Sequence, residues 1–109
     1  MAQTTPELKR IVKGYVSELS RMGIRAEKVL VYGSRAQGIA REGSDIDLFV
    51  LSPDWANYSQ RERLEILGVA AARLLEPIQA QGFTPEEVSQ HKIAPFWQQV
   101  LREQAVAIQ

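Results

Sequence analysis

Gly33 and Ser34 follow directly on a short apolar run, and ten residues further on Asp45 and Asp47 stand at the head of a second one. Two acids separated by one residue on an extended strand point to the same side, roughly 6–7 Å apart along it. Such a pair can share divalent cations, which lie about 3.5–4 Å apart in two-metal centres. Ile46 and Leu48 then turn to the opposite side and can enter a core, so one short strand separates chemistry from packing. An unpaired carboxylate inside an apolar run is costly to bury, and packing alone gives Asp47 no reason to be there.

Gly33 suits the other half of such a site. A glycine after a strand lets the backbone turn tightly and lets a phosphate approach its N–H groups. Ser34 adds a hydroxyl at the start of a possible short helix, whose free N–H groups favour anions. Arg35 can neutralise a triphosphate oxygen or lie at the surface. Taken singly these residues have plainer readings: Gly33-Ser34 as a turn, Asp45 as a cap after Gly43-Ser44, Arg35 in a surface ion pair. Taken together they set an anion binder facing a metal binder, as group transfer from a cation-bound triphosphate requires.

The flanking sequence supplies elements to hold these groups. Thr5-Pro6-Glu7 reads as a helix start, with a capping hydroxyl, proline in the first turn and an acid beside it. Leu8, Ile11, Val12, Tyr15, Val16, Leu19 and Met22 then recur at helical spacing, and Gly23 ends the helix. Val29 to Tyr32 and Ile46 to Leu51 are short apolar runs suited to strands with both faces buried, the second stopped by Ser52-Pro53. Between them, residues 34–44 are polar and contain Gly38, which predicts a loop or a short helix and turn. Ser59 and Glu62 form a capping box for a second helix lined by Leu64, Leu67, Ala71 and Leu74. Leu74 to Ala80 is expected as a third strand, with Pro77 placing it near an edge or an end. Thr84-Pro85-Glu86-Glu87 starts a further helix, and Ala94-Pro95 a last one with Phe96, Trp97, Val100 and Leu101 inward. Val106 to Ile108 can close as a strand. The order predicts one α/β (α+β) domain over residues 1–109, with helices packed against a small mixed sheet.

Composition narrows the function classes. Thirteen basic residues balance thirteen acidic ones in 109, so no global field favours nucleic acid or an anionic membrane. With no cysteine, disulfides and thiolate metal sites are excluded. Met1 to Pro6 is polar, unlike a signal peptide, and no segment reaches the roughly 20 apolar residues that span a bilayer. A cytoplasmic protein is expected, with neither membrane nor nucleic acid as partner. His91 reads as a surface or capping residue, and Trp55, Phe96 and Trp97 as packing or partner contacts.

The runs Gly33-Ser34-Arg35-Ala36-Gln37-Gly38 and Ser44-Asp45-Ile46-Asp47-Leu48 resemble the polymerase-β-like nucleotidyltransferase superfamily. They look most like its minimal nucleotidyltransferase (MNT) proteins, which are paired with HEPN-domain partners. The resemblance extends more weakly through Leu75-Glu76-Pro77-Ile78 and Phe83-Thr84-Pro85-Glu86-Glu87. It implies a nucleotidyltransferase-like fold and Mg²⁺-dependent transfer, with two ions and ATP as the source of AMP. It also implies Gly33, Ser34 and Arg35 at the nucleotide and Asp45 and Asp47 at the metal. A third carboxylate is expected on the third strand, with Glu76 the matching position by order. The implied acceptor is a hydroxyl on a HEPN-type toxin, with this chain as antitoxin. A non-catalytic module that neutralises such a partner by contact is the alternative. Assembly with copies of itself stays open.

Overall fold

A computed structural model describes residues 5–33 and 45–108 of the chain. The expected loop around Gly38, together with Ser34, Arg35 and Ser44, lies outside the described residues.

The elements follow in the order α1 (Pro6–Arg21), β1 (Lys28–Tyr32), β2 (Ile46–Leu51), a 3₁₀ turn (Pro53–Asn57), α2 (Gln60–Leu74), β3 (Ile78–Phe83), α3 (Pro85–Ser89), α4 (Pro95–Glu103) and β4 (Val106–Ala107). Local chemistry sets the helix starts. Thr5 accepts from Leu8 N–H, and Ser59 and Thr84 each close a reciprocal capping box, with Glu62 and Glu87. The strands form one sheet in the order β3-β2-β1-β4. β1 pairs antiparallel with β2 and β4, whereas β2 and β3 run parallel. A parallel pair needs a crossover, and α2 supplies it. The sheet is mixed, as expected, and the architecture is α/β.

The two faces of the sheet do different work. Val29, Val31, Ile46, Leu48, Val50, Ile78 and Ala80 belong to the main core, where α1 contributes Leu8, Ile11, Val12, Tyr15 and Leu19, and α2 contributes Leu67, Ala70 and Ala71. The Tyr15 hydroxyl donates to the Leu67 carbonyl at 2.8 Å and ties the two helices together. Burial raises its pKa, so it remains a neutral donor. On the opposite face Phe49, Leu51 and Phe83 meet Val100, Trp97 and Leu101 of α4, with Leu30 and Tyr32 half-buried beside them. β1 is therefore fully buried on one face only. Among the described residues no helix is long and apolar enough to cross a membrane.

Three expectations need correction. Leu74 ends α2 and Leu75 caps it in the left-handed conformation (φ 57°), so the third strand begins at Ile78 instead of Leu74. Leu64 is 48% exposed. Arg63 takes the inward position on α2 instead, donating to the Tyr58 and Gly82 carbonyls and to both oxygens of Glu87. Phe96 is 64% exposed, because only Trp97, Val100 and Leu101 of the α4 run reach the sheet.

Candidate functional site

The site lies where β1 ends and β2 begins. The antiparallel register sets Tyr32 opposite Asp47, and the parallel register sets Asp47 beside Gln79. A row of three side chains therefore crosses the sheet: a phenol on β1, a carboxylate on β2 and an amide on β3. Partner residues in register project from the same face of a sheet. This face continues along β2 into Phe49 and Leu51, while Ile46 and Leu48 turn into the main core. The expected division is present only at the start of the strand, where Asp47 faces away from the main core; Phe49 and Leu51 on the same side are buried in the second core.

Gly33 closes the site from the end of β1. Its φ is +72°, a conformation L side chains rarely adopt. A Cβ placed there would lie 2.5 Å from Asp47 Oδ2, well inside van der Waals contact. The Asp47 carboxylate thus occupies the space that a side chain at 33 would need. Gly33 and Asp47 are neighbours.

Asp45 stands one residue ahead of β2 and is exposed, whereas Asp47 is half-buried. Gln79 Nε2 donates to Asp45 Oδ2 at 3.0 Å, linking Asp45 to the same row. Desolvation raises the Asp47 pKa above the ordinary carboxylate value, and the charge of Asp45 raises it further. Tyr32 is pushed up to about 12, first by burial and then by the negative charge of Asp47. The phenol is therefore neutral at physiological pH. Its ring stacks on Phe49 at 4.4 Å between centroids, and Trp97 meets both rings edge-on. The three rings pack on the face of the sheet that also carries Asp47.

These observations suit a divalent cation. Two carboxylates repel one another in the metal-free protein, and a cation between them relieves the repulsion. Both offer the hard oxygen ligands that Mg²⁺ prefers. Glu76 is placed otherwise than expected: it lies in the turn between α2 and β3, two residues ahead of the strand. Among the described residues, no group of three or more acids and histidines is gathered to hold an ion. Asp45 and Asp47 are thus brought together, but not as part of a three-acid group with Glu76. Sequence reading missed Gln79 and Tyr32, although the alternation Ile78-Gln79-Ala80-Gln81 marks Gln79 as outward from the core.

His91 is exposed, with φ +55°, just past α3. Trp55 is fully buried and donates to the Val50 carbonyl, a packing role.

Comparison with known proteins identifies the family and the fold. Residues 9–104 match the nucleotidyltransferase domain family. No curated protein sequence matches the chain. Among solved structures, a candidate nucleotidyltransferase from Sulfolobus solfataricus superposes with a TM-score of 0.60 at 17% identity, covering 93% of this chain and 78% of that one. A toxin–antitoxin structure containing AMP-PNP superposes with a TM-score of 0.60 at 21% identity, covering 87% of this chain and 70% of that one. At these identities the two structures establish a shared fold.

Proposed function

We propose, since this chain belongs to the nucleotidyltransferase domain family, that it transfers a nucleoside monophosphate from a nucleoside triphosphate to a hydroxyl. The observation that carries the reading is the acid pair Asp45 and Asp47 beside the left-handed Gly33. Asp45 and Asp47 would hold Mg²⁺. Gly33 keeps the space over Asp47 free and, with Ser34 and Arg35, would take the phosphates. Bound there, the cation would offset charge on the triphosphate and its leaving group. The acceptor oxygen forms a bond to the α-phosphorus, the bond to the bridging oxygen breaks, and pyrophosphate and the hydroxyl proton depart. Glu76 is left out of this set because the turn ahead of β3 does not bring it into a three-acid group.

ATP is the proposed donor and a protein hydroxyl the proposed acceptor, in the cytoplasm. Support comes from the fold shared with a toxin–antitoxin structure that contains AMP-PNP. The corresponding biological role is that of an antitoxin modifying a HEPN-type toxin. One observation favours a second reading, a module that binds nucleotide and partner without catalysis: the described residues gather two acids instead of three.

Incubating the protein with α-labelled ATP, Mg²⁺ and the protein encoded beside its gene separates the two readings. Covalent label on the partner and release of pyrophosphate, both abolished by Asp47→Asn, are expected. A stable complex without label would favour the second reading.

A further inference from the structure

The polar row across the sheet contains one member that is neither an acid nor part of the core. Gln79 stands beside Asp47 in the β2–β3 register, and its Nε2 donates to Asp45 Oδ2 at 3.0 Å. It is exposed, between the buried Ile78 and Ala80, so packing does not require an amide there. An amide beside two carboxylates is chemically specific. It can donate to one of them, which a carboxylate at the same position could not do at neutral pH.

We infer that Gln79 is a positioning residue of the metal centre: its amide pins one oxygen of Asp45 and leaves the other turned toward the cation that Asp45 and Asp47 share. The inference rests on the proposed metal-binding role of the acid pair. Among the described residues it leaves the centre two carboxylates, with a neutral group on the third strand. Asp45 precedes the strand, and the hydrogen bond from β3 ties its carboxylate to the sheet. Groups that orient metal ligands through hydrogen bonds typically matter about 10–100-fold in metal affinity.

Two variants of the full chain distinguish positioning from a passive surface role, because they move metal affinity in opposite directions. Gln79→Ala removes the donor and frees Asp45, and should weaken Mn²⁺ binding about tenfold. Gln79→Glu keeps the shape but replaces the amide by a third carboxylate. It should tighten Mn²⁺ binding by a similar factor of about ten, through an added negative oxygen ligand. Mn²⁺ titration by electron paramagnetic resonance at neutral pH reads both without nucleotide or turnover, and metal-free thermal melts verify that each variant is folded. Either variant titrating within twofold of wild type, or Gln79→Glu weakening the ion, overturns the inference. Asp47→Asn in the same series keeps the two questions apart. If it too leaves Mn²⁺ binding unchanged, the metal-binding reading itself fails. If it abolishes binding while the Gln79 variants titrate like wild type, only the role of Gln79 is lost.

Discussion

Two charged groupings sit about the same sheet and are built on opposite terms. Arg63 is 4% exposed, yet all three of its guanidinium nitrogens donate: Nε to Tyr58, Nη1 to Gly82, and Nη1 and Nη2 in a two-pronged contact to Glu87 at 2.8 and 3.0 Å. Glu87 also accepts from the Thr84 N–H, and its pKa is lowered, chiefly by the Arg63 hydrogen bond. Asp45 and Asp47 form the reverse case, two like charges on one face with no cationic side chain paired to them among the described residues, and the Asp47 pKa is raised. The first grouping ties α2, β3 and α3 together. The second costs the metal-free fold something, and a protein keeps such a cost where a ligand removes it.

Breaking the satisfied grouping should have the largest effect on stability. Arg63→Ala removes four hydrogen bonds, leaving Glu87 with the Thr84 N–H alone, and should destabilise the fold by about 3–5 kcal/mol. That corresponds to a fall in Tm of roughly 10–20 °C for a domain of this size. Glu87→Gln, which keeps the shape, should lose less, about 1–2 kcal/mol. Urea melts on both variants measure the difference. An Arg63→Ala melt equal to wild type would show that the grouping does not anchor the helices.

A smaller effect is expected at Gly33. Gly33→Ala places a Cβ against Asp47 Oδ2 and forces alanine into a left-handed conformation, which costs roughly 1–2 kcal/mol. The carboxylate can swing away from the new methyl group, so the sharper consequence is displacement of Asp47 and weaker metal binding. Calorimetric titration with Mn²⁺ should record that loss even where the melt moves little.

The smallest stability change belongs to Asp47→Asn, and its sign is the opposite. Removing one of two like charges should leave the metal-free protein as stable as wild type or more stable, by up to about 0.5 kcal/mol. The pH dependence sharpens the contrast. Glu87, with its folded pKa lowered, contributes stability that is present above its unfolded value and lost as pH falls through the folded one. Asp47, with its folded pKa raised, contributes stability that is present below its unfolded value and lost as pH rises through the folded one. Melts in chelator from acid to neutral pH should show Glu87→Gln flattening the loss on the acid side. Asp47→Asn should remove the opposing loss as pH rises toward neutrality. Identical profiles for the two variants would erase the distinction between the groupings.

The same contrast explains what could be read from the sequence. Capping is local, so Thr5, Ser59 and Thr84 marked their helix starts correctly. The apolar runs located β1 and β2, and the alternation through Asp45-Ile46-Asp47 placed both acids on the side away from the main core. The third strand was misplaced because Leu74 and Leu75 look strand-like but belong to the end of α2, and Glu76 was carried with them out of position. Gln79 and Arg63 were illegible for a common reason. Each acquires its role from a partner on another element: Asp45, 34 residues away, for Gln79, and Glu87, 24 residues away, for Arg63. Hydropathy at a single position says nothing about such partners, and on that basis a charged Arg63 could only be assigned to the surface.

In the proposed function, Asp45 and Asp47 bind a nucleoside triphosphate through a shared divalent cation. Calorimetric titration of AMP-PNP into wild type and Asp47→Asn, with and without Mg²⁺, tests it most directly. Binding to the wild type only when Mg²⁺ is present, and none to Asp47→Asn in either condition, is the predicted result. Equal AMP-PNP binding by both proteins, or wild-type binding that is indifferent to Mg²⁺, would contradict the account.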